Sequence, residues 1–176
     1  MTLPSFFTVR RTSLFQLAFL LAALWVASSS AHAQLRILDY NVGATGTSTF
    51  GPRPGMDAVL QAINAQTKPG FARPIDILVM QEGNSVTTTG QAYANLLNTI
   101  ASSTMYVPTG LNGATTGAGR PMAVYNSASV TLISEEAIGV TSLAGQPRQT
   151  LRYQFRPVGS QKNLCCGVST VPTRLA

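Results

Sequence analysis

Two residues in this 176-residue chain stand where hard-cation chemistry would need them. Glu82 closes the apolar run Pro74-Ile75-Asp76-Ile77-Leu78-Val79-Met80-Gln81. Asn41 closes the run Leu35-Arg36-Ile37-Leu38-Asp39-Tyr40. A carboxylate oxygen can hold Mg²⁺ or Mn²⁺, and an amide oxygen beside it can orient the metal's water or a phosphate. The chain has only six acidic residues, so one set at the end of a strand-like apolar run calls for a reason. The bland readings are a solvent-exposed strand end for Glu82 and a turn residue before Gly43 for Asn41.

Other chemistries are excluded or weak. The only histidine is His32, within an N-terminal targeting segment, so residues 34–176 hold no imidazole. That excludes Ser-His-Asp and Cys-His hydrolysis. The two cysteines, Cys165 and Cys166, are neighbours in sequence. Adjacent Cα atoms lie ~3.8 Å apart, below the usual disulfide range. With no metal-thiolate spacing either, the pair reads as incidental or intermolecular. Gly43-Ala44-Thr45-Gly46 lacks the Gly-Lys-Ser/Thr of a phosphate-binding loop. Asp57 reads as a helix-dipole residue and Glu135-Glu136 as a solvated hairpin edge.

The elements that must position Asn41 and Glu82 follow from periodicity. Residues 35–42 read as a strand with Asp39 and Asn41 on one face. Met56, Val59, Leu60 and Ile63 are spaced as the apolar stripe of a helix, ended by Lys68-Pro69-Gly70. Residues 75–82 predict a strand buried on both faces, as in a sheet layered with helices. Thr88 and Gln91 form a capping box for a second helix carrying Tyr93, Leu96, Leu97 and Ile100. Strands follow at 105–107, 121–125, 130–136 and 151–155. Asn126-Ser127-Ala128-Ser129 is a hairpin-sized link between the second and third of these. The order β-α-β-α-β-β-β-β predicts an α/β architecture.

The N-terminus reads as a secretory signal peptide over residues 1–33. Arg10 and Arg11 flank an apolar run from Leu14 to Val26, and Ala31-His32-Ala33 gives the cleavage pattern. The run is shorter than the ~20 residues of a membrane span. Export to the periplasm or outside the cell is expected, with no membrane association after cleavage. The formal net charge is +6; without Arg10 and Arg11 it is +4. That is a mild bias toward anionic partners, carried by scattered side chains with no basic stripe.

A family resemblance rests on these residues. The stretch from Leu35 to Val42 resembles the opening strand of the endonuclease/exonuclease/phosphatase (DNase I-like) superfamily. Asp76-Ile77-Leu78-Val79-Met80-Gln81-Glu82 looks like its second motif, which closes on a metal-binding Glu. Gly119-Arg120-Pro121-Met122-Ala123-Val124-Tyr125-Asn126 is similar to its middle strand. The resemblance covers roughly residues 35–157. It implies a four-layer α/β/β/α sandwich, here reduced to its N-terminal half over residues 34–160. It also implies a metal-dependent phosphoesterase of nuclease or phosphatase type, acting on a phosphate ester or nucleic acid. Glu82 is then a ligand of Mg²⁺ or Mn²⁺, with Asn41 its near partner and one metal site at most. Arg148 or Arg152 would contact a substrate phosphate, against the reading of a solvated strand-edge arginine.

The departure from the family lies downstream. The expected Asp-x-Asn element and final Asp-His pair are missing, and no acid follows Glu136. Residues 161–176 show no period and read as an irregular tail, with a truncation or frameshift near Gln161. The isolated chain is therefore expected to be inactive. The alternatives are a non-catalytic remnant or interaction module, and an unrelated secreted surface domain.

Overall fold

The computed structural model describes residues 34–43, 51–68, 71–72, 74–113, 119–139 and 149–168. The proposed signal peptide and Arg148 lie outside them. In chain order the elements are β1 (Ile37–Asn41), α1 (Met56–Ala65), β2 (Thr67–Lys68), β3 (Phe71–Ala72) and β4 (Ile77–Gly83). A π-helical turn (Val86–Gly90) runs into α2 (Gln91–Ala101). Then come β5 (Tyr106–Pro108), β6 (Arg120–Asn126), β7 (Val130–Ile138), β8 (Thr150–Pro157) and β9 (Leu164–Val168).

The strands build two main sheets. The first has the order β1-β4-β6-β5, and the second the order β7-β8-β9; β2 and β3 pair only with each other. β1 runs parallel to β4, and β6 is antiparallel to both β4 and β5. β8 is antiparallel to β7 and β9.

Alternation of side chains divides the interior into two layers. Leu78 and Met80 of β4, with Met122 and Val124 of β6, face α1 and α2. There they meet Met56, Leu60, Tyr93, Ala94 and Leu97. Ile77, Val79 and Ala123 face the second sheet and meet Val130, Leu151, Tyr153, Phe155 and Val168. β4 is thus buried on both sides, as its unbroken apolar run predicts. The described layers are helix, sheet, sheet. The two helical stripes hold, with the exception of Val59, which is 51% exposed.

Three sequence expectations are corrected. β6 and β7 do not form a hairpin: they belong to different sheets. Both edges of β6 are already taken by β4 and β5, so the chain must leave the sheet after Asn126. Buried Asn126 makes the turn, its Oδ1 accepting from Ala128 N at 3.0 Å and its backbone oxygen from Ser129 N at 3.1 Å. The Thr88–Gln91 capping box is not used. Ser85 is the cap, accepting from Thr88 N at 3.1 Å, because the π-helical turn begins a full turn earlier. The tail is not irregular throughout: Leu164 to Val168 pairs with β8, putting Leu164, Cys166 and Val168 toward the first sheet. Its run, Leu-Cys-Cys-Gly-Val, holds one β-branched residue and no aromatic, so only the neighbour strand reveals it.

At the N-terminal end of β4, buried Asp76 locks the two parallel strands. Its carboxylate accepts from Arg36 N at 2.7 Å, while Asp76 N donates to Arg36 O at 2.9 Å. The Arg36 side chain donates to Ile63 O and Gln66 O, capping the C-terminal end of α1. Tyr106 closes the same end, donating its hydroxyl to Ile75 O at 2.8 Å. Asp76→Ala would leave the Arg36 amide unsatisfied in a part-buried site. It should cost about 2 kcal/mol in urea unfolding, and Asp76→Asn less, because an amide oxygen still accepts.

Burial pushes the Tyr106 phenol up to about 12, and the Asp76 carboxylate nearby adds to it. Tyr93 and Tyr153 are raised by burial as well. An unfolded chain ionises these groups near pH ~10, whereas the folded chain keeps the Tyr106 proton to about 12. Their contribution is thus complete below the unfolded value and lost as pH rises through the folded one. Urea midpoints should hold steady below pH ~10 and fall steeply between ~10 and ~12. A flat profile across that window would contradict this assignment.

Candidate functional site

The C-terminal ends of β1 and β4 lie side by side, so the two candidate residues fall at neighbouring strand ends. Asn41 stands opposite Gln81 in the parallel register, and Glu82 is the next residue. Val42 N donates to Gln81 O at 2.9 Å, carrying the pairing past the end of β1.

Glu82 has φ +57°, in the left-handed region. A side chain there is uncommon, and the conformation costs roughly 1–2 kcal/mol. The register between β4 and β6 shifts between Met80 and Gly83, a bulge that contains Glu82. A bulge turns a side chain out of the strand's alternation. Several contacts hold the strained backbone. Gly119 N donates to Gly83 O at 3.0 Å, and Asn84 N to Thr89 Oγ1 at 3.0 Å. Gly83 lets the backbone lie close to its neighbours: a β-carbon there would lie 2.6 Å from Met122 Cε and 3.1 Å from Thr89 Cγ2, so the end of the Met122 side chain would have to shift. The π-helical turn follows at once, and Val86 N donates to Asn112 Oδ1. Glu135, expected on a solvated edge, takes part at one remove. Its carboxylate accepts from Gly110 N and Leu111 N, next to Asn112.

Asn41 makes the turn before Gly43. Its Oδ1 accepts from Gly43 N at 2.8 Å, making the tight turn, and its side chain is exposed at the strand end. Asp39, two residues earlier on the same face, accepts from Gln81 Nε2 at 3.2 Å. It therefore orients the residue between Asn41 and Glu82.

Of the two arginines expected to contact a substrate phosphate, Arg152 alone lies among the described residues. Arg152 is exposed and paired with Glu136. It alternates with Leu151 and Tyr153, which face the first sheet, so it lies on the outer face of the second sheet. It is not brought to Asn41 or Glu82. Among the described residues, a guanidinium set beside Asn41's turn belongs to Arg53, which sequence reading did not single out. Arg53 Nη2 donates to Gly43 O at 3.2 Å. Its signal, a lone arginine in Pro52-Arg53-Pro54, has no periodicity and gains meaning only from the loop's return to β1. Arg120 stands opposite Gly83 in the β4–β6 register, close along the chain to Glu82's bulge.

The donor set is one carboxylate and one amide oxygen, with a second carboxylate, Asp39, engaged by Gln81. Oxygen donors without thiolate or imidazole suit a hard cation that keeps most of its waters, as Mg²⁺ does. Among the described residues no group of three or more His, Cys, Asp or Glu could hold a metal ion.

Glycine relieves left-handed backbone strain of the kind Glu82 carries. Glu82→Gly should raise stability by about 1 kcal/mol over Glu82→Gln, which keeps the side chain and the strain. Thermal or urea unfolding of the two variants checks this; equal stabilities would sink it.

No protein-family model and no curated protein matches the sequence. Solved structures do match the fold. One is ANGEL2, described as a 2',3'-cyclic phosphatase, with TM-score 0.53 and 10% identity, over 78% of this chain and 41% of that one. Another is D. rerio TDP2 complexed with a single-strand DNA product, at TM-score 0.47 and 18% identity, over 80% and 48%. A third is the human Nocturnin catalytic domain with bound sulfate, at TM-score 0.40 and 15% identity, over 57% and 38%. The chain spans less than half the length of each. At these identities the likeness concerns the fold, that of the DNase I-like structures, over part of its extent.

Proposed function

We propose, from the DNase I-like fold that this chain carries over part of its extent, that it presents the metal-binding wall of a phosphoesterase site. The observation that carries this reading is Glu82, held at φ +57° in a bulge at the strand end beside Asn41. Strain of this kind persists only where surrounding structure enforces it, and it clusters at functional sites. The phosphate-ester class agrees with the name of ANGEL2, a 2',3'-cyclic phosphatase. It also agrees with an excess of basic over acidic residues, twelve against six.

Glu82 and Asn41 would hold a single Mg²⁺ or Mn²⁺. A bound ion there supplies charge neutralisation on a phosphoryl oxygen. The chain's own residues do the rest of what is available. Asp39 holds Gln81, the Asn41 turn holds Gly43, and Gly43 holds Arg53. Arg53, beside that turn, is a further candidate for the substrate-phosphate contact, since guanidinium pairs with phosphate in a bidentate manner; Arg148 lies outside the described residues. No imidazole is available after residue 33 to act as acid or base. The chain by itself therefore binds the cation and does not turn over phosphodiesters.

Titration with Mn²⁺, read by water-proton relaxation, tests this. The wild-type chain should bind weakly, and Glu82→Gln should bind about tenfold more weakly still, the equivalent of ~1.4 kcal/mol. Identical Mn²⁺ binding by the two would remove Glu82 from the site. In parallel, bis-p-nitrophenyl phosphate with Mg²⁺ should show no turnover. Mg²⁺-dependent hydrolysis that disappears in Glu82→Gln would overturn the claim of inactivity.

A further inference from the structure

Glu135, like Glu82, owes its direction to a register shift. β7 and β8 pair with Thr131 opposite Arg156 and Leu132 opposite Phe155. Carried on unbroken, that register would set Glu135 opposite Arg152 and Glu136 opposite Leu151. The shift between Leu132 and Ser134 instead sets Glu135 opposite Tyr153 and Glu136 opposite Arg152. Residues directly opposite share a face. Tyr153 faces the first sheet, so Glu135 turns inward, while Glu136 goes outward to its ion pair with Arg152. The bulge thus decides which of two adjacent glutamates enters the space between the sheets. Burial raises the Tyr125 phenol and the Glu135 charge adds to it, in agreement with a carboxylate aimed inward.

There Glu135 meets the loop that follows β5. Its Oε2 accepts from Gly110 N at 3.0 Å and from Leu111 N at 3.1 Å, and its Oε1 shares the Gly110 amide at 3.1 Å. A β-carbon on Gly110 would run into Oε1, so the carboxylate lies flat on this glycine. The two ends of the loop are tied to β6. Buried Thr109 donates its amide to Ala123 O at 2.9 Å, and Gly113 N donates to Pro121 O at 3.4 Å. Between them Asn112 Oδ1 accepts the amide of Val86, the first residue of the π-helical turn. Gly83, Asn84 and Ser85 are all that separate Val86 from Glu82.

We infer that Glu135 is a positioning residue for the strand end at Glu82, acting through the 109–113 loop and Asn112. A carboxylate that answers two successive amides braces the loop with charge-assisted bonds. Asn112, next in the chain to Leu111, then presents its oxygen at one place, and the π-helical turn starts there. A left-handed residue such as Glu82 keeps its conformation only under restraint from both sides. β4 restrains it from before, and Val86, held by Asn112, from after. The bulge in β7 thereby serves the bulge in β4. The inference rests on Glu82 as the centre of the site proposed above.

The amides of Glu82, Gly83 and Val86, followed by NMR in the metal-free full chain, test it. Glu135→Ala removes the carboxylate; Gly110→Ala pushes it aside and alters no core side chain. Each should speed Val86 amide exchange about tenfold, the scale of one hydrogen bond, and should shift the Glu82 and Gly83 resonances. Asn112→Ala should do the same, and Glu135→Ala added to it should change nothing more at these amides. Phe155→Leu loosens the same layer between the sheets; it should lower the urea midpoint and leave the three resonances in place. Gly110→Ala should also bind Mn²⁺ about threefold more weakly than wild type. The inference is overturned if Glu135→Ala and Gly110→Ala leave Val86 exchange unchanged, if their effects add in full to that of Asn112→Ala, or if Phe155→Leu moves the same resonances. Unchanged Mn²⁺ affinity in Gly110→Ala, beside a wild-type chain that binds, overturns it as well. A wild-type chain that takes up no Mn²⁺ would instead sink the cation reading, and the three amides would still decide this one.

Discussion

The structure hangs on the carboxylate of Asp76. It is 1% exposed and accepts the amide of Arg36, while the two residues also exchange a backbone bond in the other direction. A buried acid that answers a backbone donor is tolerated where an unpaired one would be expensive. The lock starts β1 and β4 in register, so Ile37 meets Ile77 and, four residues on, Asn41 meets Gln81. Arg36 extends the lock to the end of α1 through its guanidinium. One slip of register would move Asn41 to the opposite face of the sheet and away from the strand end that carries Glu82. Geometry at the site is therefore set at the far end of the strands.

At the site itself, order gives way to enforced irregularity. Regular strand geometry would leave Glu82 in step with Leu78 and Met80, which face the helices. The bulge and the left-handed φ take it out of that alternation. Gly83 allows the backbone to lie against Met122, and the π-helical turn that follows is pinned by Asn112 and, through its loop, by Glu135. These contacts come from four separate parts of the chain. Bulges and π-turns recur beside functional sites because they re-aim side chains that a regular element cannot.

Much of this was legible without coordinates. The unbroken apolar run of β4 announced burial on two faces, and the 3.6-residue stripes of α1 and α2 announced their packing side. Both are local consequences of side-chain direction, which period alone sets. Glu82 and Asn41 were legible for the same reason: each ends a strand, and strand ends open into clefts. Other features were decided only by tertiary structure. β6 and β7 look like a hairpin because a short polar link joins two strands; they part because β6 has no free edge left. Leu164–Val168 looks irregular because Cys-Cys-Gly is a weak strand sequence; it becomes a strand because β8 offers a partner. Arg152 and Arg53 are the sharpest case. A charged side chain has no periodic signature, so its role depends on which surface the chain's return places it on. That return sets Arg152 on the outer face with Glu136, and Arg53 beside the turn that begins at Asn41.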